Sequence, residues 1–460
     1  MADLRDFLRR LEAEGELRRI RQPVDLKYEI GAVCFSELQK GIHRNQALLF
    51  ENIGGAAAPL AVNLLASPKR FFTALDLASP RRWHRFWLEK TSSPLKPLLV
   101  ENAPCQEVIC DDARLDRFPI PLWNEKDGGP YLTMACVISK DPETGQRNCA
   151  IYRMMVHEDG RSAGILAPPY RHIAAHLARS SARRESLPVA VAIGVSPALM
   201  IAAAGDFPYG VDEIAMAGAL EGAPVEVARC RTVPLEVPAH AEVVLEGSIT
   251  PGDEKKEGPF GEFTGYYSGE SACRPVFRIG CISHRRDPIA VGSYVGPPPQ
   301  ENALINALTT EAEILRQCPL PGMLDIQIHP LGVLNATVSI DGKHAANARR
   351  IAHGILATPA GRRIKSLTLV DEDIDPRDHD QVSWALAYRV RPERDVEIVN
   401  DRIGVTVDPS LPREERLSGT ARTSKMIIDA TKRDAEWTAE ECRPKPEVLE
   451  RVKREWGKYS

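Results

Sequence analysis

Leu4, Phe7, Leu8 and Leu11 recur at i, i+3, i+4 and i+7 in a segment otherwise dominated by charge. Successive helical residues turn by about 100°, so this spacing lines one face and predicts an amphipathic helix, with Gly15 as its stop. A second helical stretch is predicted over residues 28–38 and a short strand over 47–50. Residues 94–121 are rich in proline and predict an irregular passage into a second domain. The texture then changes. Between about residues 131 and 294 the apolar positions gather into short runs, LTMACVISK, CAIYRMMV, VAVAIGV, AEVVLEGSI, VFRIGCISH and IAVGSYVG, separated by Gly, Pro and Asp clusters. Runs of that length with such punctuation read as strands. Helical inserts are predicted at 170–179 and 212–220. This is the pattern of a β-barrel or packed sheet with helical insertions, and it lacks the regular alternation of a doubly wound fold. After GPPPQE a helix is predicted over 302–316. Beyond it, VLNATVSI and SLTLVDED read as strands, while KHAANARRIAHGILATP and DHDQVSWALAYRV read as helices. The charged tail, 435–456, is predicted helical, either as a dimer arm or as a solvated helix.

The expected division is an N-terminal α/β domain over 1–115, a β-rich domain over 116–300, a linker helix over 301–320 and a C-terminal α/β domain with its tail helix over 321–460. Length agrees, since 460 residues at roughly 150 per domain give about three. With 43% hydrophobic and 27% charged residues the chain is that of an ordinary globular protein. A net charge of −4 argues against nucleic acid as the main partner, because phosphate binding usually draws on a basic surplus. No run of 18 apolar residues and no apolar leader core is present, so neither a membrane span nor a secretory leader is expected, and the expected location is the cytoplasm. The ten cysteines include no CxxC pair and predict reduced thiols.

Four motifs carry candidate chemistry. In NCAIYRMMV, Asn148 offers a hard carbonyl oxygen suited to Mg²⁺ or Mn²⁺. Arg153, between Tyr152 and Met154, needs an anion if it faces inward. Strand side chains alternate, so these two residues face opposite ways unless a loop or bulge intervenes. Taken alone they read as a turn asparagine and an edge-strand arginine. In RHIAAH, His172 and His176 lie one helical turn apart and can share a face. Ile173 stands where a zinc protease carries its glutamate, so this is not HExxH, and the pair is either a source of one ligand or a surface pair. In PYGVDEIAMAGAL, Asp212 and Glu213 open a helix, where an acid is an ordinary cap and Glu213 is alternatively a metal carboxylate. EGPFGEFTGYY is the most informative. Glu257 and Glu262 bracket Gly-Pro-Phe-Gly, whose restricted backbone suits fixed carboxylates. One can pair with a cation while the other, with Phe260 and Phe263 supplying apolar surroundings, serves as a general acid. The alternative is a solvated acidic turn. DEDID at 371–375 and TARTSKMIIDATKR at 420–433 count for less, although Lys425 in the latter can touch a phosphate.

Taken together and in order, these motifs resemble the UbiD family of decarboxylases, and the likeness covers nearly the whole chain. The resemblance implies an α+β multidomain fold, with a central flavin-reductase-like split β-barrel carrying helical insertions between an N-terminal α/β domain and a C-terminal α/β oligomerisation domain. It implies prenylated FMN, made by a separate flavin prenyltransferase, with the phosphate held by a divalent metal, usually Mn²⁺ or else Mg²⁺, and K⁺ nearby. It sets Asn148, His172 and Glu213 on the metal positions and Arg153, Glu257 and Glu262 on the catalytic set. Against the cofactor it sets Asn148, Ala150, Ile151, Tyr152, Arg153, Arg171, His172, Glu213 and Lys425. Ala150 replaces a serine of some members and Arg171 a glutamine, and neither change removes a ligand. His176 is the rival of His172. The implied function is reversible, non-oxidative decarboxylation of an aromatic, heteroaromatic or α,β-unsaturated carboxylic acid by a homodimer or homohexamer. In it Glu257 fixes Arg153 and Glu262 delivers the proton. Two other classes compete. A flavin-dependent oxidoreductase would turn over NAD(P)H. A non-catalytic flavin-binding subunit of a carboxylase complex would not need Arg153, Glu257 and Glu262.

Overall fold

The structure is a computed structural model and describes residues 3–417, 421–432 and 439–459. Helix Leu4–Ala13 forms as its spacing predicts. The Asp3 carboxylate caps it by accepting from the Asp6 N–H at 2.9 Å, and Leu4, Phe7, Leu8 and Leu11 are all buried. Helix Glu29–Leu38 and strand Ala47–Phe50 also stand where expected. Leu17–Ile20 runs parallel to Ala47–Phe50, which pairs antiparallel with Leu60–Val62. The fourth strand of this sheet, Ala290–Gly292, returns from far along the chain and runs parallel to Leu60–Val62.

The central sheet explains where a site can form. Tyr131–Leu132, Met154–Val156, Ser162–Ile165, Ala272–His284, Val243–Glu257, Leu187–Ile193, Cys136–Lys140 and Arg147–Ile151 are neighbours in that order, with antiparallel pairings. Val108–Ile109 adds to Ala272–His284. Arg147–Ile151 ends this order and Met154–Val156 stands second in it, yet only Tyr152 and Arg153 join them. Laid flat, six strand spacings of about 4.8 Å would separate the two by about 29 Å. Three Cα steps of about 3.8 Å span at most about 11 Å. The sheet therefore curls into a barrel, split where Tyr152 and Arg153 cross. Register shifts at Glu246/Gly247 and Ile249/Glu254 bend its two longest strands.

Helices His172–Arg183, Pro197–Ala204 and Glu213–Glu221 pack against the barrel. The second is an addition to the two expected inserts. All but one of its eight residues are buried, so it has no polar face to give a helical period. Helix Glu301–Gln317 then wedges between the flanking domains. Trp83 donates to the Leu308 carbonyl at 2.9 Å and Trp87 to Glu313 at 2.8 Å, while Glu311 accepts from the Ile328 N–H at 2.7 Å.

The C-terminal sheet has the order Met323–Ile328, Asn335–Ile340, Ser366–Asp371, Arg422–Asp429, Val396–Ile403. It packs with helices Ala348–Ala357 and His379–Arg389. The first half of KHAANARRIAHGILATP is a 3-10 turn, Gly342–Asn347, rather than α-helix. The tail helix is Pro446–Arg454, and residues 433–438, which include the start of the expected tail helix, lie outside the described residues, as does Thr420. All ten cysteines are free thiols. Among the described residues no helix is long and apolar enough to cross a membrane.

Candidate active site

Two cavities meet at the barrel split. Asn148 and Ala150 border one of about 350 Å³, Ile151 and Arg153 border another of about 180 Å³, and Tyr152, Tyr170 and Arg171 border both. Strand alternation thus poses no obstacle to Asn148 and Arg153 acting together. It sends them to neighbouring compartments of one site.

The first cavity gathers the expected metal residues. The Asn148 amide donates to Glu213 Oε1 at 3.5 Å, and His172 Nδ1 lies 3.7 Å from the same oxygen. Glu213 Oε2 accepts from the Cys149 N–H at 2.9 Å, and the Tyr152 hydroxyl donates to Asn148 Oδ1 at 3.4 Å. The adjacent acids of PYGVDE divide their work. Asp212 caps the helix by accepting from the Ile214 N–H at 3.0 Å, which leaves the Glu213 carboxylate to the cavity. Burial pushes Glu213 up to about 8. A buried carboxylate needs a cation to stay charged, and one held among Asn148, His172 and Glu213 would supply it. Burial and the Arg171 charge lower the His172 pKa, which favours the neutral ring that ligates metals, and a hydrogen bond to the Phe207 backbone orients it.

His176 stands one turn further on, bordering neither cavity. It is buried against Ser139, whose Oγ is 2.9 Å from its Nδ1, and burial takes it down to about 4. Lys425 also borders neither cavity. It is 2% exposed, with Nζ 2.5 Å from each of the carbonyl oxygens of Arg362 and Ile364. Burial lowers its pKa to about 8. The turn it grips, Gly361–Arg363, carries Arg362 to the first cavity and Arg363 to the second.

At the second cavity Arg153 is held between two carboxylates. Its Nε and Nη2 donate to the two oxygens of Glu257 at 3.1 and 3.3 Å, and its Nη1 donates to Glu262. Its guanidinium lies 4.9 Å from the centre of the Phe260 ring. Glu257, the last residue of Val243–Glu257, also accepts from the Tyr131 hydroxyl at 2.9 Å and is 2% exposed. Glu262 borders the cavity beside Phe260 and Phe263. One glutamate therefore fixes the arginine from behind, and the other borders the cavity.

Residues 127–131 set this turn. Gly258 has φ +87°, a conformation that side chains resist. Gly128 must be bare, because a Cβ there would stand 2.2 Å from the Gly258 carbonyl oxygen. The Gly128 N–H donates to the Pro259 carbonyl at 2.8 Å, and the Asp127 carboxylate accepts from the Gly261 N–H at 2.9 Å. Burial pushes Asp127 up to about 6. Sequence reasoning passes over Asp127, Gly128 and Tyr131. The signal available was DGGPY, an acid and two glycines before a proline. Asp206, Arg362 and Arg363 are passed over as well.

Fold and site together define a class: a split-barrel enzyme with one arginine and two glutamates beside a cavity bordered by an asparagine, a histidine and a glutamate of types that can ligate a metal. Comparison with known proteins sharpens it. Models of the N-terminal, Rift-related and C-terminal domains of 3-octaprenyl-4-hydroxybenzoate carboxy-lyase match residues 8–86, 98–298 and 303–430. The phenolic acid decarboxylase of Bacillus subtilis is 35% identical over 445 residues, covering 93% of this chain and 92% of that one. The UbiD-class enzyme HmfF from Pelotomaculum thermopropionicum, solved in complex with FMN, superposes with a TM-score of 0.86 at 33% identity over 97% of this chain and 98% of its own. The vanillic acid decarboxylase of Sedimentibacter hydroxybenzoicus in its closed form gives 0.90 at 31% identity over 99% of each chain. The chain belongs to the UbiD family of carboxy-lyases.

Proposed function

We propose that this chain is a prenylated-FMN-dependent decarboxylase acting on an aromatic, heteroaromatic or α,β-unsaturated carboxylic acid. The observation that carries the reading is the Arg153–Glu257–Glu262 set at the split, sharing a wall with a cavity of metal-ligating type. Asn148, His172 and Glu213 would hold Mn²⁺ or Mg²⁺ and through it the cofactor phosphate, with K⁺ nearby. Their carbonyl, imidazole and carboxylate donors suit such a cation, and the buried Glu213 needs one. Ala150, Ile151, Tyr152, Arg153 and Arg171 border the cavities in which the flavin would lie.

Prenylated FMN supplies the electron sink for loss of CO₂. The protein's share is positioning and proton transfer. Glu257 uses two edges of the Arg153 guanidinium and so sets its plane. Arg153 in turn holds Glu262 at the cavity wall, where Glu262 delivers a proton to the carbon that loses CO₂. Water must stay out during that step, which the flanking domains achieve by closing over the split. The cofactor comes from a flavin prenyltransferase, the enzyme works in the cytoplasm, and copies associate into a dimer or hexamer.

The test is expression beside a flavin prenyltransferase, followed by a panel of aryl, heteroaryl and acrylic acids. CO₂ release, or deuterium uptake from D₂O at the carbon that bore the carboxylate, is expected for at least one class. A flavin-loaded protein that consumes NAD(P)H and releases no CO₂ would replace this reading with that of an oxidoreductase. Loaded protein inert in both assays would be a flavin-binding subunit.

A further inference from the structure

Two arginines border the first cavity, and their surroundings differ. Arg171 is committed: its Nη1 donates to Asp206 Oδ1 at 3.1 Å and its guanidinium lies over the Tyr152 ring. Arg362 lies 5.0 Å from the centre of the Tyr170 ring, and among the described residues it has no carboxylate partner. A guanidinium stays charged at all physiological pH and offers five donors in a planar fork. Held at a cavity wall without a counter-ion, it is matched to an anion.

The backbone that carries Arg362 is fixed from two sides. Lys425 Nζ grips the carbonyls of Arg362 and Ile364, each at 2.5 Å. The next side chain, Arg363, donates from Nη2 to Asp206 at 3.0 Å and from Nη1 to Asn306 Oδ1 at 3.1 Å. Asp206 thus takes Arg171 from the barrel and Arg363 from the C-terminal domain. The two arginines next to Arg362 have their charges answered, and Arg362 does not.

We propose that Arg362 binds the phosphate of the flavin cofactor, so that the C-terminal domain completes a site otherwise built on the barrel. Lys425 and Asp206 are positioning residues that act through it. This rests on the flavin reading of the preceding subsection. The phosphate is assigned to this cavity because Asn148, His172 and Glu213, the proposed metal ligands, border it, whereas Glu262, the proposed proton donor to the substrate, borders the other.

Riboflavin is FMN without its phosphate, so the pair isolates the contact. Affinities of the full chain for both flavins, with Mn²⁺ present, are read from quenching of flavin fluorescence. Arg362→Gln is expected to weaken FMN binding about tenfold or more while leaving riboflavin within about twofold. Arg362→Lys should recover part of the loss. Lys425→Met should weaken FMN in the same selective way, and the double variant should be no weaker than Arg362→Gln alone, because both changes remove one contact. Additive losses would overturn the positioning role and give Lys425 its own phosphate contact. Arg362→Gln binding FMN as the wild type does would overturn the proposal and leave the family's cofactor reading intact. A wild type that binds neither flavin would sink both. Lys425→Met buries a new apolar side chain, so its melting temperature is compared first, and Arg362→Gln alone still decides the main claim.

Discussion

Glu262→Gln separates proton delivery from everything else the site does. Glutamine matches the length of the glutamate it replaces and removes the transferable proton. Arg153 keeps both bonds to Glu257, at 3.1 and 3.3 Å, and Glu257 keeps the Tyr131 hydroxyl at 2.9 Å. What weakens is the charge-assisted bond from Arg153 Nη1, a loss of at most about 1.5–3 kcal/mol. Against a total stability of about 5–15 kcal/mol, the protein stays folded. The catalytic loss is larger. A positioned acid contributes about 100- to 10,000-fold, or about 3–5 kcal/mol of barrier. Glu262 stands apart from Asn148, His172 and Glu213, which would hold the cofactor phosphate, so FMN affinity and the visible spectrum of the bound cofactor should be largely kept. The assay is CO₂ release by cofactor-loaded protein, with deuterium uptake from D₂O followed on the product. A kcat within tenfold of the wild type, at an unchanged spectrum, would refute the role of Glu262. An altered spectrum would show instead that Glu262 shapes the cofactor cavity.

Other outcomes follow from the same geometry. Arg153→Lys loses the two-toothed grip on Glu257 and should lower kcat at least about 100-fold. Gly128→Ala drives a Cβ to 2.2 Å from the Gly258 carbonyl oxygen, so the turn bearing Glu262 must move. Denaturant unfolding should show a loss of about 1–3 kcal/mol, with kcat falling further than that loss explains. Chelation of divalent metal should release FMN, and Mn²⁺ should restore its binding in the wild type and fail to do so in Glu213→Ala. His84 gives a pH dependence. Burial works to lower its pKa, but bonds to Asp325 at 3.1 Å and Glu311 at 3.2 Å outweigh burial, and the net shift is upward. A raised folded-state pKa stabilises fully below the unfolded value of about 6.5 and loses that stabilisation as pH rises through the folded value. The melting temperature should therefore fall above about pH 6.5, and His84→Gln should flatten that slope. An unchanged slope would show that Arg377, which meets both carboxylates and does not titrate there, carries the junction alone.

Some of this was legible in the sequence and some was not, for physical reasons. Helix Leu4–Ala13 was legible because one face is buried and the other wet, which writes a period into the chain. Pro197–Ala204 carries no period because it is buried nearly all round. Val396–Ile403 escapes for the opposite reason: at the sheet edge, no residue of it is fully buried, so nothing alternates. The carboxylates of EGPFGEFTGYY were legible as a fixed pair, but which one borders the cavity depends on where Arg153 arrives, and the closure of the barrel sets that. Lys425 was legible as a cation that could touch a phosphate, yet it borders neither cavity and is spent on backbone carbonyls. Its two carbonyl partners lie about 60 residues away and leave no local trace. Arg362 and Arg363 sit in GRRIK, where nothing local tells a cavity arginine from a solvated one.

The site lies at the split because of how the sheet ends there. Within a continuous ladder each backbone group is paired and side chains must alternate between faces. At Tyr152 and Arg153 the strands end, so the arginine can meet a partner brought by another segment. That partner comes from the overhang of the longest strand. Val243–Glu257 pairs with Leu187–Ile193 only as far as Ile249, and its last residues reach on beyond that neighbour to place Glu257 beside the split. The Arg153–Glu257–Glu262 set therefore depends on barrel closure and on the turn that residues 127–131 hold. The proposed phosphate contact would depend on a turn of another domain, held by Lys425 and Asp206. Two sets of variants should consequently fall apart in the measurements. Changes at Glu257 or Glu262 should act on kcat first, and changes at Arg362, Lys425 or Asp206 should act on flavin affinity first. A variant of the second set that lowers kcat at saturating cofactor without loosening FMN would mean that domain docking also shapes the chemistry, and the separation would fail.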